Sequence, residues 1–204
     1  MSGYVLYDSS GTFTDVTEEP SDIPTELEQV RQQFSDGKVL HAAMIHEFTD
    51  SYTGQTEVTE GTIWISKNSY KISADQQVVL VDGAISRVYN ARQNKLVISR
   101  YVPEEDDFAP SRFFSESDEI YTVTGINRTE NSVEIILNPD DPFEIFLEVR
   151  ILLDRALVPL QINAVDQMDN EFKTIFQNAV YQEHSKAHFL LDYPEDADII
   201  DLRK

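Results

Sequence analysis

Four histidines, His41, His46, His184 and His188, are the residues best suited to hold a metal or move a proton near neutral pH. His184 and His188 are four apart, a spacing that on a helix points two imidazoles at one ion. Ser185-Lys186-Ala187 between them reads as a turn joining strands, which does not hold that geometry. His41 and His46 are five apart and face opposite sides of a regular strand. No metal site is expected from either pair. The carboxylate runs Glu104–Asp107 and Asp140-Asp141 raise the possibility of a hydrolase. Glycoside hydrolysis needs two carboxyls held a set distance apart across the scissile bond, one with a raised pKa. Adjacent loop acids beside proline are instead expected to be solvated, and no catalytic residue is assigned. The glycine spacing of a phosphate loop is absent, as is Gly-x-Ser-x-Gly. There are no cysteines, so thiol nucleophiles, thiolate metal sites and disulfides drop out together. Asn127-Arg128-Thr129 fits a glycosylation acceptor, a tripeptide that also arises by chance.

What surrounds these residues is a rhythm of short β-runs, from Val39 to Tyr193, broken by Gly, Asn, Asp and Pro. Residues 1–23 carry few large apolar side chains and read as a flexible N-terminal tail. Thr25 to Phe34 has Leu27, Val30 and Phe34 on one face and reads as an amphipathic helix, with Asp36-Gly37 as its stop. Strands are expected at Leu40–Thr49, Glu57–Ser66, Tyr70–Ser73, Lys95–Val102, Glu119–Ile126, Ser132–Leu137, Glu144–Asp154, Val158–Asp166, Glu171–Tyr181 and His188–Tyr193. Residues 77–90 read as a hairpin with a type I′ turn at Asp82-Gly83. Pro110 to Ser115 reads as one helical turn. In the 144–154 segment Ile145, Leu147, Val149, Ile151 and Leu153 are expected on one face.

Composition narrows the function classes. The 204 residues include 37 Asp plus Glu against 16 Lys plus Arg, a net charge of -21. That excludes a basic footprint for nucleic acid and disfavours docking on an anionic membrane. It points to a monomer with a solvated acidic surface, suited to short Debye screening in a salty medium. No run of apolar residues is long enough to span a membrane as a helix. About eleven strands have two faces, and one good helix can cover only part of one. The sheet either folds into a sandwich or curls around an apolar hollow. Trp64, Tyr70, Phe143, Phe146, Phe172, Phe176, Phe189 and Tyr193 supply aromatic material for either.

The order of the motifs resembles the LolA-type periplasmic lipoprotein carriers of the lipoprotein-sorting family. After the helix, Phe48-Thr49 ends the first strand. The run Gly61 to Lys67, then Asn68 and Tyr70, matches a Gly-led apolar strand followed by a basic residue and an aromatic. Asp82, Gly83 and Tyr89 match the next mark, and Phe189, Leu191, Pro194 and Ala197 to Leu202 match the close. The resemblance runs from about residue 25 to 202. It implies a mainly β (α+β) fold: an unclosed, strongly curved antiparallel β-barrel, residues 24–204 as a single half-barrel domain, with the N-terminal helix over the concave face. It also implies a non-enzymatic periplasmic carrier without cofactor, its export signal removed, that ferries lipoprotein acyl chains or a related lipid towards the outer membrane. Membrane-bound donor and acceptor proteins would be its partners. The candidate cavity lining is Ile63, Ile65, Tyr70, Ile72, Ile145, Leu147, Val149, Ile151, Phe172 and Phe176, with Leu27, Val30 and Phe34 as lid. Lys67 stands where many members carry Arg, and the resemblance makes it the residue that holds the lid. Lysine lacks the planar fork of Arg, so such a lid is looser. The alternative is a sensor or interaction module of the same fold whose acidic face meets a basic partner.

Overall fold

The structure, a computed structural model, describes residues 25–102, 114 and 120–203. The expected tail at 1–23, the acidic run Glu104–Asp107 and all of the 110–115 turn except Phe114 lie outside the described residues. The chain opens with α1 (Thr25–Ser35) and continues through β1 (Lys38–Thr49), β2 (Thr56–Ile65), β3 (Ser69–Ala74), β4 (Gln77–Asp82), β5 (Ile85–Asn90) and β6 (Lys95–Arg100). It goes on through β7 (Tyr121–Arg128), β8 (Ser132–Pro139), β9 (Phe146–Asp154), β10 (Pro159–Asp166) and β11 (Glu171–Glu183). A 3-10 turn (Lys186–Phe189) then leads to β12 (Asp198–Asp201). All twelve strands form one sheet in the order β12-β6-β5-β4-β3-β2-β1-β11-β10-β9-β8-β7. Its ends do not meet, so it is an unclosed, curved β-barrel with the helix inside.

Two runs of hairpins, β1–β6 and β7–β11, are joined where β1 lies antiparallel to β11. Alternation decides which side chains turn inward. Leu40, Ala42 and Met44 of β1 share the concave side with Ile63 and Ile65 of β2, and the same parity continues to Phe176, Ile162, Ile151 and Ile135. These residues form one core with Leu27, Val30 and Phe34. The helix forms because those three recur at three- and four-residue spacing, with Glu26 and Glu28 at its positive N-terminal end. It stops at Gly37, whose φ of 82° suits glycine.

Three expectations are corrected. The Asp82–Ile85 hairpin has Gly83-Ala84 as its central pair, and only Gly83 has positive φ, at 58°. That pattern, with glycine first, belongs to a type II′ turn rather than type I′. In β9 the register shifts between Phe146 and Glu148, so Leu147 drops out of the ladder with β10. The extra residue flips the strand's start: Phe146 is 2% exposed and Leu147 38%. Leu147 therefore does not line the interior and Phe146 does. His188–Tyr193 is not a strand. Ser185 caps the 3-10 turn by accepting from the Ala187 N–H, and the following segment crosses the convex face instead of pairing in the sheet. The strand lies further on, where Asp198–Asp201 runs parallel to β6.

Candidate functional site

The concave face is divided. At one end of the sheet α1 fills it. Lys67, in the β2–β3 turn, donates to Ser35 Oγ at the last helical residue over 3.4 Å. At the helix start, Arg128 on β7 makes a two-pronged pair with Glu26, Nε to Oε1 at 2.6 Å and Nη2 to Oε2 at 3.0 Å. That bond holds the Glu26 carboxyl below its ordinary range. Phe34 stacks on Phe114 (5.6 Å between centroids) and meets Tyr181 edge-on at 5.7 Å. Burial pushes the Tyr181 phenol up, with the Asp154 charge adding to it, and its buried hydroxyl has no hydrogen-bond partner among the described residues.

At the other end, where the β1–β2, β3–β4 and β5–β6 turns lie, the concave face is open. A groove of about 920 Å³ runs there between β1 and β5. Its apolar floor is Met44, Tyr70, Ile72 and Val79, and Thr59, Asp75, Gln76, Gln77, Asn90 and Arg92 form a polar rim. His46 projects into it from β1 with Nδ1 3.0 Å from Thr174 Oγ1. Burial lowers the His46 pKa, against a smaller upward pull from Glu47. A neutral imidazole, an amide rim and an apolar floor suit contact and desolvation of an apolar guest, and the volume lies within the range of small-molecule pockets. Two side chains here present carboxylate or guanidinium charge, Asp75 and Arg92.

The sequence-predicted lining splits between these two regions. Tyr70 and Ile72 are on the groove floor. Ile63, Ile65, Val149, Ile151 and Phe176 lie in the core, each at most 3% exposed. Phe172 is half-buried, 5.3 Å from Phe146 and 5.1 Å from Phe48. Ile145 is a half-buried neighbour of the same core, and Leu147 is outside. Leu27, Val30 and Phe34 are buried on the helix face, and Lys67 is exposed beside the helix end. Sequence reasoning missed Met44, His46 and Val79. The first two follow Leu40 and Ala42 at alternate positions of β1, and Val79 is the cross-strand partner of Ile72, so strand parity held the signal.

The histidines do not converge. His41 is on the convex side, stacked on Trp64 at 3.8 Å, and Trp64 stacks on His188 at 4.3 Å. His184 stacks instead on Phe189. Among the described residues no three His, Asp or Glu side chains come together around a possible ion. Asp140 and Asp141 are spent on local bonds, accepting from Thr122 Oγ1 and from the Phe143 N–H. Glu104–Asp107 lies outside the described residues. No helix among the described residues is long and apolar enough to cross a membrane.

No family model matches the chain, and no curated protein matches it. Solved structures do. An uncharacterized conserved protein from Thermus thermophilus superposes with a TM-score of 0.55 at 12% identity, over 85% of this chain and 98% of that one. A LolA superfamily protein from Nitrosomonas europaea gives 0.46 at 6% identity, over 81% and 97%. A putative outer membrane lipoprotein-sorting protein domain from Vibrio parahaemolyticus gives 0.44 at 12% identity, over 80% and 94%. LolA-type structures are thus among the chain's structural neighbours, and at such identities the likeness is one of fold.

Proposed function

We propose that this chain is a non-enzymatic carrier that shields an acyl chain of a lipoprotein or other lipid in its concave face, in the periplasm. One observation carries this reading: the helix fills one end of a curved apolar face and leaves a groove of about 920 Å³ beside it, floored by Met44, Tyr70, Ile72 and Val79. An acyl chain of about 15 methylenes, at ~0.8 kcal/mol each, gains on the order of 10 kcal/mol when fully buried. The groove is open, so about half of that, about 5 kcal/mol, is available before the cost of association, which corresponds to a Kd of about 0.2 mM. Moderate affinity suits a carrier that must release its guest. A longer guest extends under α1, taking over the contacts of Leu27, Val30 and Phe34 with Ile63, Ile65, Val149 and Ile151. Release then returns the helix to its place, which offsets part of the burial gain.

Titration with a fluorophore-tagged fatty acyl probe tests the reading. The parent protein should bind with a Kd of about 0.2 mM or tighter, and Ile72→Asp, which sets a charge on the groove floor, should weaken binding about ten-fold or more. A parent protein that leaves the probe free would end the proposal, as would an Ile72→Asp variant that folds and binds unchanged.

A further inference from the structure

Three large apolar side chains stand in solvent at one end of the sheet. Tyr52 is 96% exposed, Phe143 90% and Met168 70%. The next most exposed Tyr or Phe among the described residues is Tyr193, at 42%. The three occupy different turns, β1–β2, β8–β9 and β10–β11, which antiparallel order brings to the same end as the mouth of the groove.

Hydrogen bonds tie these turns side by side. Ser51 N–H donates to Asn170 Oδ1 at 2.9 Å, and Ser51 Oγ donates to the Met168 carbonyl at 2.6 Å. Gln167 Nε2 donates to the Pro142 and Glu144 carbonyls at 2.8 and 2.9 Å. Each turn is also set by an aspartate two residues before its apolar tip. Asp141 Oδ1 accepts the Phe143 N–H at 2.9 Å, Asp166 Oδ1 accepts the Met168 N–H at 2.8 Å, and Asp50 Oδ1 accepts the Thr53 N–H at 2.7 Å. The tips are therefore held out on a braced platform. Fixed exposed apolar residues of this kind, grouped and rimmed by polar ones, mark interaction sites.

Charge selects the occupant. The turns spanning 50–55, 140–145 and 167–170 carry Asp50, Asp140, Asp141, Glu144 and Asp169 and contain no Lys or Arg. A second copy would set like charges face to face, and an anionic bilayer would be repelled. We infer that Tyr52, Phe143 and Met168 form a docking platform for a protein partner that presents an apolar surface flanked by Lys and Arg. The platform stands whether or not the groove holds lipid.

The test uses a fluorescent amphipathic Leu/Lys helical peptide as probe, with a Gln/Lys peptide of equal charge as control. The parent should bind the Leu/Lys peptide more tightly than the control. The triple variant Tyr52→Ser, Phe143→Ser, Met168→Ser should lose about ten-fold or more of that affinity. Binding to the parent should weaken as salt rises. The triple variant should still take up the acyl probe as the parent does, which separates this surface from the groove. If the triple variant fails to fold, Tyr52→Ser alone, at a side chain almost wholly in solvent, carries the comparison. Equal peptide affinity in parent and variant would overturn the inference, and so would a parent that does not bind the peptide. Tip-dependent flotation with phosphatidylcholine vesicles without peptide binding would assign the platform to a membrane instead. A concentration-dependent dimer abolished by the triple variant would assign it to a second copy.

Discussion

Gly61 on β2 leaves no room for a side chain beside β3. A Cβ built on it would lie 2.3 Å from the Ser73 carbonyl oxygen and 2.9 Å from Ala74 Cα. Both neighbours are backbone, so neither can swing aside as a side-chain end would. Gly61→Ala should lower stability by about 1–3 kcal/mol through overpacking alone, read as a lower urea midpoint with an unchanged slope. His46 supplies a pH dependence. Because burial lowers its folded pKa, the unfolded chain binds more protons once the pH falls below about 6.5. The stability from the neutral imidazole is complete above that value and declines on acidification through the folded pKa. His41 adds in the same direction, through burial first and the neighbouring His188 second. The melting temperature should thus drop between about pH 7.5 and 5.5, and His46→Gln should shrink the drop. The Glu26–Arg128 pair responds in a separate, more acidic window, because its carboxyl is held down and is lost only below the usual glutamate range.

At the scale of elements, the helix is held by packing far more than by its tethers. Phe34 is 2% exposed between Phe114 and Tyr181, so Phe34→Ala should cost about 3–5 kcal/mol. Lys67 reaches Ser35 over 3.4 Å in an exposed setting, and Lys67→Ala should stay within about 0.5 kcal/mol of the parent. If the helix gates the concave face, both variants should nevertheless speed acyl-probe uptake in stopped flow. Unchanged uptake in Phe34→Ala would mean that the helix does not gate. The helix and most strands were legible in the sequence because periodicity and turn residues are local signals. Strand β9 was misread at its start because a bulge changes parity without changing composition. Residues 188–193 were misread because alternating apolar side chains also suit a segment laid across a sheet face: Tyr193 packs against Tyr89, 6.2 Å away, and Lys71 Nζ binds the Leu190 carbonyl at 2.7 Å. Strand β12 is four residues long and two of them are aspartate, so no pattern announced it.

For the molecule as a whole, charge opposes compaction. A net charge of -21 on 204 residues repels itself, and added salt screens that repulsion. The melting temperature should rise by several degrees between about 20 mM and 1 M NaCl, and a flat response would show that local pairs already balance the field. The groove itself was only half legible. Its existence followed from a surplus of sheet over helix, but its position depended on which end the helix covers. That is set by the packing of Leu27, Val30 and Phe34 against strands far apart in sequence, with Lys67 and Arg128 marking the two ends of the helix.

The pairing of β1 with β11 also has a temporal side. It brings together partners such as His46 and Thr174, which are 128 residues apart, in the middle of the sheet. A nascent chain leaving the ribosome can zip β1 to β6 hairpin by hairpin, yet the free side of β1 stays open until nearly the last strand has been made. Such high contact order places folding in the slow, milliseconds-to-seconds regime. Through that wait, a twelve-residue, largely apolar edge stays open to strand addition by a stranger.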